Sequence, residues 1–378
     1  MLSLQDKQRI DLCLGTGLLA VGRPLGRLAG VLLRRDHSAA PKGDIAVLKM
    51  LGAGSLAIAM PALLGIRKAH PRLRMTLVTT PAIRPFAEVM DIFDRMLAID
   101  DAAPGRLFSS SCKALFSCRK TDTVVDLEVF SRMTMVFAMM TLARNRIGAG
   151  AESGPWRRHA STHLVGAGRS AEVYLFYDRI ARLLGAPPAS PEACREHLLA
   201  RLPLERRRPA GRRIAIGPGC SELCEERRLS PSQWSMVLKE RSGAPAEIHL
   251  LGSRRDRPLA EAIVTACPPR PNLRWFNHCG ALSVTGSLGL LAGMDEYWGV
   301  DSALLHFARL LRVPCLSFWG PSEPRVFLRP IAGLREETRY RKLPCSPCVH
   351  TSGSPPCSGR NLCMQGLFED IGTPGKLI

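Results

Sequence analysis

The chain has 378 residues, 46% of them hydrophobic and 22% charged, which excludes a disordered polymer and suits two ordinary domains, each with its own core. A formal net charge of +19 calls for an anionic partner, but only 6% of residues are aromatic and no basic run is interleaved with them. Readers of single-stranded nucleic acid need such stacking platforms, so no nucleic-acid partner is expected. The thirteen cysteines are odd in number and scattered, and no cleavable signal peptide precedes them, so the expected setting is a reducing cytoplasm.

Residues 1–43 form a basic amphipathic segment. Its charge-free run Leu12 to Gly22 is too short to span a bilayer. Leu18, Val21, Leu25, Leu28 and Leu32 recur at helical spacing, with Arg23, Arg27 and Arg34 on another face. Two readings stand side by side: an interfacial helix on anionic lipid, or a helix packed on the protein's own surface. Gly15, Gly17, Gly22, Gly26 and Gly30 weaken either one.

From Asp44 strands and helices alternate, which implies parallel sheets. Strands are predicted at Ile45–Leu51, Met75–Thr80, Met96–Ile99, Thr123–Leu127 and Arg146–Gly148, with helices over Ser55–Ala69 and Met133–Leu142. Residues 151–211 join this unit to the next through a helix at Val173–Leu184 and the basic, breaker-ended segment Glu205 to Gly211. A second unit follows, with strands at Ile214–Ile216, Glu247–Leu251, Leu273–Phe276, Tyr297–Val300 and Cys315–Trp319. Its predicted helices cover Ser232–Glu240, Leu259–Cys267, Val284–Leu291 and a stretch opening at Ser302. The domain reading is therefore 1–43, 44–204, 205–344 and a cysteine-containing tail, 345–378.

The strand ends carry the chemistry, because open parallel sheets present polar groups at their carboxyl edge. The first turn, Gly52-Ala53-Gly54-Ser55-Leu56-Ala57, satisfies G-x-G-x-x-A, but the second strand ends in Val78-Thr79-Thr80 without the acid a dinucleotide requires. Thr123-Val124-Val125-Asp126-Leu127-Glu128 delivers two acids to a strand end, and alternation puts both on one side. Gly217-Pro218-Gly219 and Gly252-Ser253 are further strand-end turns, and Arg227-Arg228 follows the first. Asp301-Ser302 closes a strand where a helix begins, Ser302 can cap that helix, and His306 returns to the same face one turn later. In the tail, Cys345, Cys348, Cys357 and Cys363 have C-x2-C-x8-C-x5-C spacing, which suits a closed zinc site.

The stretch Asp301-Ser302-Ala303-Leu304-Leu305-His306, then Phe318-Trp319-Gly320-Pro321-Ser322-Glu323-Pro324, resembles the sugar-nucleotide signature of the bacterial heptosyltransferase family, glycosyltransferase family 9. Ala303 stands for the usual glycine, and a tryptophan is inserted before Gly320. Gly54, Ser55, Pro61 and Leu63 to Pro71 resemble the family's N-terminal signature, with Ser55 where the family has its catalytic aspartate. The resemblance implies the GT-B architecture, an α/β fold of two Rossmann-like domains facing across a cleft. It also implies inverting transfer of a heptose-like sugar from a nucleoside-diphosphate donor, of the ADP-heptose type, to a lipopolysaccharide or glycolipid acceptor. Asp301, Ser302, His306, Arg228 (for the family's lysine), Gly219 and Gly252 are the donor-site residues this implies. Since a serine hydroxyl is not a base at neutral pH without a helper, Glu128 is the candidate base beside Ser55. The alternative is a non-catalytic relative that binds sugar nucleotide or glycolipid. No metal is expected to be essential: the cysteine pattern recurs at family C-termini, where it need not carry zinc. A peripheral position on the inner face of an anionic membrane completes the expectation.

Overall fold

Two six-stranded parallel sheets organise the computed structural model, which describes residues 4–32, 35–150, 154–158, 160–166, 172–204, 211–222, 224–241, 243–349 and 355–368. The chain divides into two compact units, Met1–Cys194 and Arg195–Ile378. Of the expected linker, residues 205–210 lie outside the described residues.

In the first unit the sheet holds β1 (Ile45–Lys49), β2 (Met75–Thr79), β3 (Arg95–Ala98), β4 (Thr123–Asp126), β5 (Asn145–Ala149) and β6 (His163–Val165), in the order β3-β2-β1-β4-β5-β6. The helices are α1 (Leu4–Leu32), α2 (Ala53–Ala69), α3 (Arg84–Met90), α4 (Pro104–Ser117), α5 (Met133–Met140) and α6 (Val173–Leu183), and α7 (Pro191–Leu199) runs across the Cys194/Arg195 boundary. The five residues of β1 and of β2 are all buried, the near-continuous apolar run of a sheet covered on both faces. Ala114 of α4, Cys118 just beyond it, and Phe137 and Ala138 of α5 share one cluster with Leu48, Val78 and Val124, so α4 and α5 cover the same face.

The second unit repeats the scheme with β7 (Arg212–Gly217), β8 (Ala246–Leu250), β9 (Leu273–Asn277), β10 (Glu296–Val300), β11 (Cys315–Trp319) and β12 (Glu336–Tyr340). Their order is β12-β11-β10-β7-β8-β9. Its helices are α8 (Pro231–Arg241), α9 (Arg257–Ala266), α10 (Val284–Ala292), α11 (Ala303–Leu310), α12 (Pro324–Phe327) and α13 (Leu362–Gln365). Trp234, Trp298 and Phe318 fill the core, and Met364 and Phe368 of the tail pack into it.

Every predicted strand is present within a residue or two, but several elements go beyond the sequence reading, the short helices α12 and α13 among them. β6 is only three residues long, β12 is a polar edge strand (Glu-Glu-Thr-Arg-Tyr), α4 is serine-rich, and α7 is charged. β6 and β12 lack the apolar run on which the reading relied, and the serines of α4 and the charges of α7 dilute theirs.

The N-terminal segment corrects an expectation. α1 does pack on its own unit: Leu19 is buried against Met135, Val136 and Met139 of α5. Gly15 and Gly22 are not defects there, since a Cβ at Gly15 would lie 2.6 Å from the Arg132 Cβ and one at Gly22 would overlap the Met139 side chain. Arg23 turns inward to donate to the Trp156 carbonyl instead of joining a solvent-facing basic row. Yet Leu14, Leu18, Val21, Leu25, Leu28 and Leu32 remain exposed. The side chain of Arg27, and Arg34 entirely, lie outside the described residues.

Candidate active site

Each sheet has the order 3-2-1-4-5-6 in its own numbering, so the direction of chain progression reverses between its first and fourth strands. At that point the helices leave to opposite faces and a crevice opens at the carboxyl edge. The reversal falls between β1 and β4 in the first unit and between β7 and β10 in the second, and the sequence-derived candidates sit at these two places.

In the first unit, Gly52 takes a left-handed conformation (φ 77°) that turns the chain sharply from β1 into α2. Ser55 Oγ donates to the Gly52 carbonyl at 2.7 Å, so its hydroxyl is spent on its own turn. Glu128 lies two residues beyond β4 and turns toward β1. Its Oε1 accepts from Lys49 Nζ at 2.9 Å and from the backbone N–H groups of Met50 (2.7 Å) and Leu51 (2.9 Å). Burial alone would raise this carboxyl, but Lys49 and the two amides outweigh it and hold it below its ordinary value. Asp126 does not share that position. It is buried, accepts from Thr134 Oγ1 at 3.0 Å and from the Glu128 N–H at 3.0 Å, and lies 3.8 Å from Arg157. Burial lifts it to about 7 despite these partners. The Arg157 guanidinium is itself fully buried and donates to the carbonyls of Glu128 and Val129, fixing the turn that presents Glu128. Lys49, Arg157 and Tyr177, whose phenol neighbours Lys49, Glu128 and Ser55, escaped the sequence reading. A lysine ending an otherwise apolar strand was the available signal for the first of them.

In the second unit, Asp301 forms a hub. Its carboxylate accepts from Ser322 Oγ at 2.8 Å, Arg227 Nη1 at 3.1 Å and His306 Nε2 at 3.2 Å. Four segments thus meet on one side chain: the end of β10, the first turn of α11, the loop after β7 and the loop after β11. Burial would raise the Asp301 pKa, but Arg227 and His306 drive it well below the carboxylate range. Ser302 occupies the cap position of α11 without making the capping bond; its Oγ lies 3.5 Å from the Tyr297 hydroxyl instead. That phenol passes over Gly217 and Gly299, register partners on β7 and β10, and a Cβ at either would overlap it.

Arg228, Gly219 and Gly252 converge on a second carboxylate, Asp256. It accepts from the Ser253 N–H (2.8 Å) and Oγ (2.7 Å), lies 3.8 Å from Arg228, and occupies the space that a Cβ on Gly219 would need. Nε and Nη2 of Arg228 are buried without a hydrogen-bond partner among the described residues, as is Nδ1 of His306. A pocket of about 680 Å³ opens on Arg228 between α8 and the tail, lined also by Gln233, Asn361 and Phe368; Asp301 to His306 do not line it. Arg227 and Ser322, both inside motifs already singled out, prove to be the partners of Asp301.

Cys345, Cys348, Cys357 and Cys363 line one small gap beside Glu226 and Pro321. They are free thiols, and among the described residues no three metal-ligating side chains are placed to hold an ion. No helix among the described residues is long and apolar enough to cross a membrane.

Two doubly wound sheets, each with polar groups gathered at its reversal point, define an α/β protein of the GT-B kind. Residues 182–357 match the family model described as Glycosyltransferase family 9 (heptosyltransferase), in agreement with the resemblance read from Asp301 to His306. No curated protein matches the sequence. Among solved structures, the glycosyl transferase family 9 protein of Veillonella parvula superposes with a TM-score of 0.61 at 16% identity, covering 80% of this chain and 87% of that one. The ADP-heptose lps heptosyltransferase II of E. coli gives 0.58 at 16% identity, covering 86% and 98%. The E. coli heptosyltransferase WaaC with ADP gives 0.59 at 15%, covering 87% and 99%.

Proposed function

We propose that the second unit binds a nucleoside-diphosphate sugar and that the protein transfers the sugar, with inversion, to a glycolipid acceptor such as lipopolysaccharide. The observation that carries this reading is the Arg228 guanidinium in the loop after β7, whose buried Nε and Nη2 have no hydrogen-bond partner among the described residues, with Glu225 and Asp256 at 3.5 and 3.8 Å. A guanidinium so placed binds a diphosphate through charge-assisted hydrogen bonds. The N-terminal N–H groups of α11, behind Ser302, add a second donor set for the charge that grows on the leaving diphosphate. Asp301 acts through others: it orients Arg227, His306 and Ser322. The similar E. coli structures are an ADP-heptose heptosyltransferase and WaaC with ADP, and an ADP-linked heptose is the donor to try first.

In this reading Glu128 takes the acceptor proton. Its engagement by Lys49, Met50 and Leu51 favours a second reading, because a carboxylate with depressed pKa and three donors on one oxygen is a weak base. Under that second reading the chain binds the donor without turning it over.

One titration followed by one turnover assay separates the readings. Arg228→Ala is expected to weaken ADP-sugar binding about 10- to 100-fold, the worth of a charge-assisted hydrogen bond. Glu128→Gln is expected to leave donor binding in place and to lower kcat by about 10²- to 10⁴-fold. Binding with no turnover from any donor and a membrane-extract acceptor selects the second reading. Absence of donor binding in the wild type rejects both.

A further inference from the structure

We infer that the α1/α4 side of the first unit is a docking surface for an anionic lipid bilayer, lying in the interface without crossing it. On α1 the exposed side chains Leu14, Leu18, Val21, Leu25, Leu28 and Leu32 follow spacings of 4, 3, 4, 3 and 4 residues. They form a single stripe about 27 Å long at 1.5 Å rise per residue. The helix is held by a different seam, Gly15, Leu19 and Gly22 against α5, so the leucine stripe is not what docks it.

A second apolar ridge stands on the same side of the sheet. α4 covers the face that α5 covers, and α1 lies on α5. Phe108 and Phe116, 73% and 66% exposed, are two helical turns apart on α4. Aromatic rings that exposed are costly in water and suited to the headgroup level of a bilayer.

Charge selects the occupant. Residues 104–120 contain Arg106, Lys113, Arg119 and Lys120 and no acidic residue. All four are exposed; Arg106 lies 3.6 Å from Asp100, and Arg119 lies over the Phe116 ring at 3.8 Å. An apolar ridge flanked by cations, as on α4, complements an anionic leaflet. A second copy of the chain would instead set these cations, on a protein of net charge +19, against each other.

The test uses the full chain and vesicles of phosphatidylcholine with or without phosphatidylglycerol, scored by co-sedimentation, with circular dichroism confirming the fold of each variant. The wild type is expected to bind the anionic vesicles, to bind neutral ones weakly, and to be released by salt. Lys113→Ala with Lys120→Ala is expected to weaken binding about fivefold per charge removed. Phe108→Ser with Phe116→Ser, and Leu18→Ser with Leu25→Ser, are each expected to weaken it further while leaving ADP-sugar binding untouched. No binding by the wild type, or binding unchanged in all three folded variants, overturns the inference. So does a solution dimer that Leu18→Ser with Leu25→Ser dissolves without any effect on vesicles, which would assign the stripe to a second copy.

Discussion

Asp301 and Asp126 are both buried at strand ends, yet their surroundings push them in opposite directions. Asp301 is held far below its ordinary value by Arg227, His306 and Ser322. The stability it contributes is therefore complete above the unfolded carboxyl value near 3.8 and is lost as pH falls through the lower folded value. Asp301→Ala leaves the Arg227 charge buried without its partner and is expected to cost about 3–5 kcal/mol at neutral pH. Urea unfolding followed by tryptophan fluorescence, with Trp234, Trp275, Trp298 and Trp319 in the second unit, checks this. The gap from wild type should close in acid. Asp126 runs the other way, because burial lifts it to about 7. Its folded form binds a proton that the unfolded chain has released, so the wild type loses stability as pH rises toward 7. Asp126→Asn is expected to flatten the stability profile between about pH 4 and pH 8, a difference visible in thermal melts across that range.

At the scale of elements, α5 shows how distant sequence completes a helix. Its own first turn has no acidic residue. Ser131 Oγ accepts the Thr134 N–H at 3.3 Å, and the rest of the cap comes from Asp11 on α1, whose carboxylate accepts the N–H groups of Arg132 and Met133 at 2.9 Å and the Ser131 hydroxyl at 2.6 Å. Asp11→Ala is expected to cost about 0.5–2 kcal/mol, the usual value of an N-cap, and hydrogen exchange should show it first at the α1–α5 contact. No local motif announces such a cap. The same limit explains what was legible in the sequence and what was not. The strands and the Asp301–His306 register could be read because burial on both faces imposes apolar runs and a helix imposes its spacing. α4 and β12 could not, because a serine-rich helix and a polar edge strand owe their form to neighbours. As a charge run Arg227 and Arg228 look alike, and the resemblance singles out Arg228 alone; the loop after β7 sends Arg227 to Asp301 and Arg228 toward Asp256.

For the molecule as a whole, the net charge of +19 sets an expectation about ionic strength. Attraction of a diphosphate-bearing donor is expected to weaken steadily with added salt, whereas affinity for the sugar or nucleoside without phosphate should hardly respond. Calorimetry at two salt concentrations measures it. The architecture was the most legible property of all, since alternation of apolar runs and glycine turns already demanded two parallel sheets. The electrostatic use of their reversal points was less so, because it depends on which side chains share a carboxylate.

The hub at Asp301 also constrains anyone who would rebuild this protein. Four chain segments hold one another in place through its two oxygens. A graft that replaced only the turn after β7, or only the first turn of α11, would leave buried charge or hydroxyl groups facing a stranger. These segments should therefore be exchanged between related chains as a set of loops, with single-loop chimeras misfolding locally even when every grafted residue comes from a folded parent.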